Sequence, residues 1–255
     1  MTAALEMFAV PGLPVVRPGD DLPGLIGAAI ERAGHRLASG DVVVVAQKIV
    51  SKAEGRFVDL ARVTPSAEAE RLGGEIGKDA RIVHVILSES ARVVRSRPNL
   101  MIAEHRLGFV MANAGVDHSN VTPLGEPDQL LLLPLDPDGS AEQLRDALCA
   151  RFGVALAVVI SDSFGRPWRR GTVGVAIGAA GLPALVDMRG KPDMFGRTLE
   201  VTVIGLGDEV AAAAGLVMGQ ADEGQPVVVI RGLRWSAPAV PARELVRPPS
   251  EDLFR

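Results

Sequence analysis

The run Asp41-Val-Val-Val-Val-Ala46, DVVVVA, is almost wholly apolar and leads directly into Gln47-Lys-Ile-Val-Ser-Lys-Ala-Glu54, the first dense polar cluster of the chain. An unalternating apolar run of that length suits a strand buried on both faces. Val154–Ile160 reads the same way, and Leu130–Leu135 is again of strand length. Upstream, Met7–Val10 reads as a short strand ended by the loop Pro11-Gly12-Leu13-Pro14. Asp20-Asp21 opens an amphipathic helix expected to run through about Leu37, with Ser39-Gly40 as its stop. A second helix is expected after Thr64-Pro65, read as N-cap and first helical proline. His84–Leu87, Leu100–Ala103 and Phe109–Ala112 read as strands and 139–152 as a helix. SDSFGRPWRRG (161–171) then reads as a loop, Leu199–Leu206 as a strand, Asp208–Met218 as a helix and Pro226–Ile230 as a strand. Ala237–Arg255, with four prolines, is expected to wrap the surface. The order lacks a clean βαβ rhythm, so mixed α+β is expected rather than a doubly wound sheet. No fixed-period repeat or flexible linker divides the chain.

With 255 residues, 47% hydrophobic and 23% charged, and a net charge of −4, the chain is long and apolar enough for a sizeable core, and global disorder is excluded. The acidic balance and the lack of a long basic run argue against a nucleic-acid polymer as partner. No stretch approaches a membrane span, and the N-terminus MTAALEMFAVPGLP has no basic leader, so a cytoplasmic protein is expected. Cys149 is alone, which excludes an intrachain disulfide or a Cys-based zinc site. Only four of the 27 basic residues are lysines (48, 52, 78 and 191). A coding bias toward arginine should leave lysine mainly where arginine will not serve.

Three polar clusters follow apolar strands, where open sheets commonly place ligands. In the first, Lys52, and secondarily Lys48, offers a compact ammonium suited to a phosphate oxygen; the alternative is a solvated turn. In the second, Phe109–Asn120, Asp117 with nearby amide and hydroxyl oxygens offers hard ligands for Mg²⁺ or Mn²⁺. The same residues also suit an Asx-type turn, with Asp117 and Asn120 bonding only their own backbone. His118 has no partner at zinc-motif spacing and reads as a bystander. In the third, Asp162 and Ser163 precede Arg166, Arg169 and Arg170, a set suited to metal-assisted phosphoryl transfer. The competing reading is an exposed charged loop, and Trp168 suits a stacking wall or simple packing. No Walker loop, complete dinucleotide fingerprint, G-x-S-x-G elbow or HExxH is present.

Taken together, the clusters resemble one family, the coenzyme F420-0:L-glutamate ligases, the gamma-glutamyl ligases of deazaflavin biosynthesis. The resemblance is carried by GLP at 12–14, IVSKAEG at 49–55, ANAGVDHSN at 112–120, SDSFGRPWR at 161–169, AIG at 176–178, KPDMFGR at 191–197 and VMGQADEG…PVVVIRG at 217–232, in order. It implies a GTP site at Gly12, Leu13, Pro14, Val15, Gln47, Lys52, Asn120 and Gln220. It implies divalent-metal ligands at Asp117, Asp162, Ser163 and Gln220, for one or two Mg²⁺ or Mn²⁺ ions, with K⁺ as a further candidate. Gln47 and Gln220 depart from the family pattern, where serine and glutamate are commoner.

The implied fold is a single α+β ligase unit over 1–255 with two interlocked lobes and mixed sheets, forming a homodimer and carrying no C-terminal flavin reductase-like domain. The implied reaction activates the carboxylate of coenzyme F420-0 as an acyl phosphate with GTP, then adds L-glutamate, gamma-linked after the first. Asp117, Asp162 and Lys52 would be the catalytic set. Arg166 and Arg169, by our inference rather than the family's pattern, would bind substrate phosphate or carboxylate. A metal-dependent phosphohydrolase, or a non-catalytic nucleotide- or deazaflavin-binding protein, are the competing readings.

Overall fold

The computed structural model describes residues 4–122 and 128–252. In chain order its elements are β1 (Glu6–Ala9), α1 (Leu22–Arg32), β2 (Val42–Ala46), α2 (Gln47–Ala53), β3 (Phe57–Asp59), α3 (Ala67–Ile76) and α4 (Ala80–Glu89). There follow β4 (Ser90–Arg97), β5 (Leu100–His105), β6 (Val110–Ala112), β7 (Gln129–Leu131), α5 (Pro137–Phe152), β8 (Ala157–Arg166) and β9 (Arg169–Ala180). The last are β10 (Val186–Asp187), β11 (Val203–Ile204), α6 (Leu206–Met218) and β12 (Val227–Arg231). The protein is mixed α+β with several sheets, as its sequence pattern predicts.

The largest sheet has the order β1-β12-β2-β8-β9, in which only β2 and β8 are parallel. Val42, Val43, Val44 and Val45 are all fully buried because both faces of this sheet are covered. Val43 and Val45 pack with Val158 and Ile160 against Ile26 and Ile30 of α1 and Leu144 and Leu148 of α5. Val42 and Val44 pack with Val159 against Val210, Ala211 and Ala214 of α6. Each such valine contributes about 2 kcal/mol by leaving water. A third cluster lies apart from the central sheet, where α3 and α4 cover β4-β5-β6 and the β3-β7 pair around Leu72, Ile86, Met101 and Leu130.

Several local expectations are corrected. α1 stops at Arg32 rather than near Leu37, because the chain turns at Gly34, a left-handed position with φ +75. Ser66, not Thr64, caps the helix after Pro65, accepting from the Ala69 N–H. His84–Leu87 is helical: Asp79 caps α4, and Val83, Ile86 and Glu89 fall at three-residue spacing on its buried side. The polar stretch 161–171 is not a loop but most of a β-hairpin, in which β8 continues to Arg166 and pairs with β9. Its connection is Pro167-Trp168, with Trp168 left-handed at φ +58. Of 199–206 only Val203 and Ile204 form a strand, since α6 begins at Leu206. The tail is anchored by Asp138, which accepts from the Ala242 and Arg243 N–H groups; residues 253–255 of it lie outside the described residues. Among the described residues no helix is long and apolar enough to cross a membrane.

Candidate active site

Strand direction brings four segments to one end of the central sheet. Because β2 and β8 are parallel, with Ala46 beside Ser161, Gln47–Lys52 and Asp162–Ser163 emerge at the same edge. β12 runs the other way, with Val227 beside Val45, so the residues before it arrive there too. β1 is antiparallel to β12 and delivers Leu13–Val16. Together with Asn120 these segments line a cavity of about 440 Å³. Leu13, Pro14, Val15 and Val16 make an apolar wall; Lys48, Lys52, Asp162, Ser163 and Gln220 make a polar one. The floor is tight, since a Cβ on Gly174, opposite Ser163, would lie 2.3 Å from the Ala211 carbonyl oxygen.

QKIVSKA is read most simply as a polar turn, but it forms α2, which puts Lys48 and Lys52 four residues apart on one side. Lys48 Nζ lies 3.3 Å from Asp117 Oδ2. Lys52 Nζ donates to the Asn120 carbonyl at 2.7 Å. Burial, with the neighbouring Lys48 ammonium, lowers the Lys52 pKa. Gln47 is buried where it lines the cavity, donating through Nε2 to Ser51 Oγ (2.6 Å) and the Leu132 carbonyl (3.4 Å), while its Oε1 has no hydrogen-bond partner among the described residues.

Asp117 reaches the site by an unusual backbone path. Asn113, Ala114 and Gly115 are consecutive left-handed residues with φ of 52, 50 and 68. For Ala114 that conformation costs about 1–2 kcal/mol. At Gly115 glycine is required on two counts, because a Cβ would also lie 2.8 Å from Leu133 Cγ. Beyond this turn Asp117 exchanges two backbone hydrogen bonds of 2.9 Å with Leu131. Its carboxylate is therefore not spent on an Asx turn but faces Lys48.

Burial raises the pKa of Asp117, against the pull of Lys48. Burial, and then the Asp117 carboxylate, push Asp162 up to about 7. Ser163 donates its backbone N–H to Asp162 Oδ1 at 2.7 Å and its hydroxyl to Gln220 Oε1 at 2.6 Å. Two mutually opposed carboxylates beside a hydroxyl and an amide oxygen form a hard-oxygen set that fits Mg²⁺ or Mn²⁺. Among the described residues no group of three or more His, Cys, Asp and Glu converges, so such an ion would depend on the neutral oxygens as well.

Gln47, Lys52, Asn120, Asp162, Ser163, Gln220 and Leu13–Val15 thus all line one cavity, with Asp117 joined to it through Lys48. Gly12, also left-handed, sits outside the lining, its carbonyl accepting from Arg32. Arg166 and Arg169 face each other at the exposed far end of the hairpin, outside the lining. His118 bonds Asp128. Sequence reasoning missed Arg56, which follows α2 and ties it to the end of α4, donating to the Leu133 carbonyl (2.9 Å) and to buried Glu89 (3.1 Å). It also missed Gly174. The SKAEGR spelling gives Arg56 no signal, because both its partners are distant in sequence.

Residues 12–232 match the family model described as F420-0:Gamma-glutamyl ligase. The chain is 46% identical over 254 residues to the Coenzyme F420:L-glutamate ligase of Methanothermobacter thermautotrophicus, covering 98% of this chain and 99% of that one. It is 48% identical over 256 residues to the protein of that name from Methanopyrus kandleri, 98% of both chains. With the Archaeoglobus fulgidus protein of that name identity is 43% over 251 residues, 98% of this chain and 96% of the other.

Proposed function

The chain belongs to the F420-0:gamma-glutamyl ligase family, and from that premise we propose that it joins L-glutamate to coenzyme F420-0, using GTP and a divalent metal ion. The observation that carries the proposal is the single cavity with an apolar wall at Leu13–Val16 facing Lys52, Asp162 and Ser163. A nucleotide needs both, an apolar surface for its base and cation and metal positions for its phosphates.

In this reading Asp117, Asp162, Ser163 and Gln220 would hold the ion, which neutralises phosphate charge when bound. Lys52 would bind phosphate oxygens, and Asn120, whose Nδ2 donates to the Ala221 carbonyl at 3.1 Å, ties its segment to the residues before β12 at the cavity. A carboxylate oxygen of F420-0 attacks the γ-phosphorus; the bond to the bridging oxygen breaks and GDP leaves. The glutamate amine then attacks the acyl carbon of the acyl phosphate, the C–O bond to phosphate breaks, and an amide and inorganic phosphate result. The amine proton goes to solvent. Little covalent protein chemistry is required, because positioning and charge neutralisation dominate this kind of transfer.

The reading includes a single cytoplasmic ligase unit of two interlocked lobes that pairs as a homodimer. Met194, Phe195 and Val201, each more than four-fifths exposed, support the pairing, since large apolar side chains at that exposure favour burial against another surface. Incubation with GTP, Mn²⁺ and F420-0, with and without L-glutamate, tests the function by mass spectrometry. A product heavier by one glutamyl unit, formed only with GTP and glutamate, is expected. GTP hydrolysis indifferent to both glutamate and F420-0 would show a phosphohydrolase instead.

A further inference from the structure

Three of the four lysines in this arginine-rich chain end on one segment, Asn113–Asn120. Lys48 meets Asp117 and Lys52 meets the Asn120 carbonyl from inside the cavity. Lys78 comes from behind, donating from Nζ to Asn113 Oδ1 at 3.1 Å, and does not line the cavity. We propose that Lys78 is a positioning residue, which holds Asn113 so that the left-handed turn Asn113–Gly115 stays wound and Asp117 stays directed at the Asp162 side of the cavity. This rests on the reading of Asp117 and Asp162 as metal ligands.

The turn is held at three points. Its far side is fixed by the paired backbone of Asp117 and Leu131. Its middle is fixed by packing, with Ala114 buried and Gly115 against Leu133. The near side begins at Asn113, whose backbone carbonyl accepts from Val116 at 3.0 Å and whose side chain is held by Lys78. Consecutive left-handed residues that include an alanine persist only where their surroundings over-determine them.

Lys78 is itself rigidly based. It follows Gly77, the left-handed cap of α3, and precedes Asp79, the cap of α4. Its N–H bonds the Gly73 carbonyl at 3.0 Å, and its own carbonyl packs against Gly73 so closely that a Cβ there would lie 2.8 Å away. The side chain therefore carries the fixed geometry of the α3–α4 corner to the turn. Burial lowers the Lys78 pKa, a desolvation cost that the bond to Asn113 offsets. A compact ammonium suits one amide oxygen in such a space; a planar guanidinium would leave most of its donors unmet. That is a reason for lysine to survive here.

The test is Mn²⁺ titration calorimetry on the full chain, beside its thermal melt. Wild type should bind Mn²⁺, whereas Lys78→Met should fold, melt within a few degrees of wild type and bind Mn²⁺ more than tenfold more weakly. Asn113→Gly, which removes the acceptor and tolerates the left-handed φ of 52, should show the same loss, and the double variant no further loss, because the two act through one contact. Lys78→Met with wild-type Mn²⁺ affinity overturns the proposal. If that variant does not fold, Asn113→Gly with unchanged affinity overturns it. A wild type that binds no Mn²⁺ would instead sink the metal-site reading on which the proposal rests.

Discussion

Replacing Asp162 by asparagine should make the metal-free protein more stable while abolishing its activity. Asp162 has its carboxyl pushed from 3.8 to about 7 by burial and by Asp117. At about 1.4 kcal/mol per pH unit, ionising it in the folded chain costs about 4 kcal/mol more than in the unfolded chain. Between pH 3.8 and 7 the folded protein holds this proton and the unfolded protein does not, so this contribution lowers stability as pH rises and levels off above about 7. Asparagine is the neutral isostere and keeps the acceptor for the Ser163 N–H. Because Asp162 is only part-buried, screening trims the gain to about 2–4 kcal/mol at pH 8, falling to about 1–2 kcal/mol at pH 5. Urea unfolding of both proteins in a chelator at the two pH values measures it. Adding Mn²⁺ should then stabilise wild type, by about 2.7 kcal/mol at a hundred times its Kd, and leave Asp162→Asn unmoved. A variant no more stable than wild type at pH 8, or one that keeps full ligase activity, would refute the reasoning.

Lys48→Gln removes the cation beside Asp117 and the charge that lowers both acids, so Asp117 and Asp162 should ionise at higher pH. The acidic limb of the Mn²⁺-binding profile should move upward; a profile that stays in place or moves down contradicts the assigned electrostatics. Gly174→Ala forces a methyl to 2.3 Å from the Ala211 carbonyl and should cost about 1–3 kcal/mol in denaturant unfolding. A neutral effect there would mean that α6 is not seated against β9 as described. Arg56→Met takes one of the cations from buried Glu89, which keeps Arg106 at 3.0 Å, and should destabilise by about 2 kcal/mol. Thermal melts check it, and an unchanged melt would show that Glu89 does not depend on Arg56.

Much of the central sheet was legible because complete burial writes itself as composition. DVVVVA needs no alternation when helices cover both faces, and VVVIR at β12 reads alike. His84–Leu87 was misleading because three apolar residues in a row suit either period, and only the Asp79 cap and the packing of Val83 and Ile86 select the helix. SDSFGRPWR was misleading for another reason. A strand that lines a cavity and then meets solvent has no apolar face to signal it, yet β9 pairs with it through Arg166 and Arg169. The candidate site was legible as residue types at strand ends, Lys52, Asp117, Asp162 and Ser163. Their meeting place was not.

By itself the sequence determined which side chains are available, since ordered motifs supply the carboxylate, hydroxyl and amide oxygens and lysine scarcity marks where an ammonium is kept. The tertiary structure alone decided who meets whom. Parallel pairing of β2 with β8 brings Lys48 and Asp162 to one end of the sheet, and the left-handed turn from Asn113 to Gly115 brings Asp117 to Lys48. Lys78 shows the difference most clearly: in sequence it trails a helix, and in space it ends on Asn113, 35 residues away. Side-chain identity is local information. Strand direction and backbone handedness are settled by packing across the whole chain, and they place the charges.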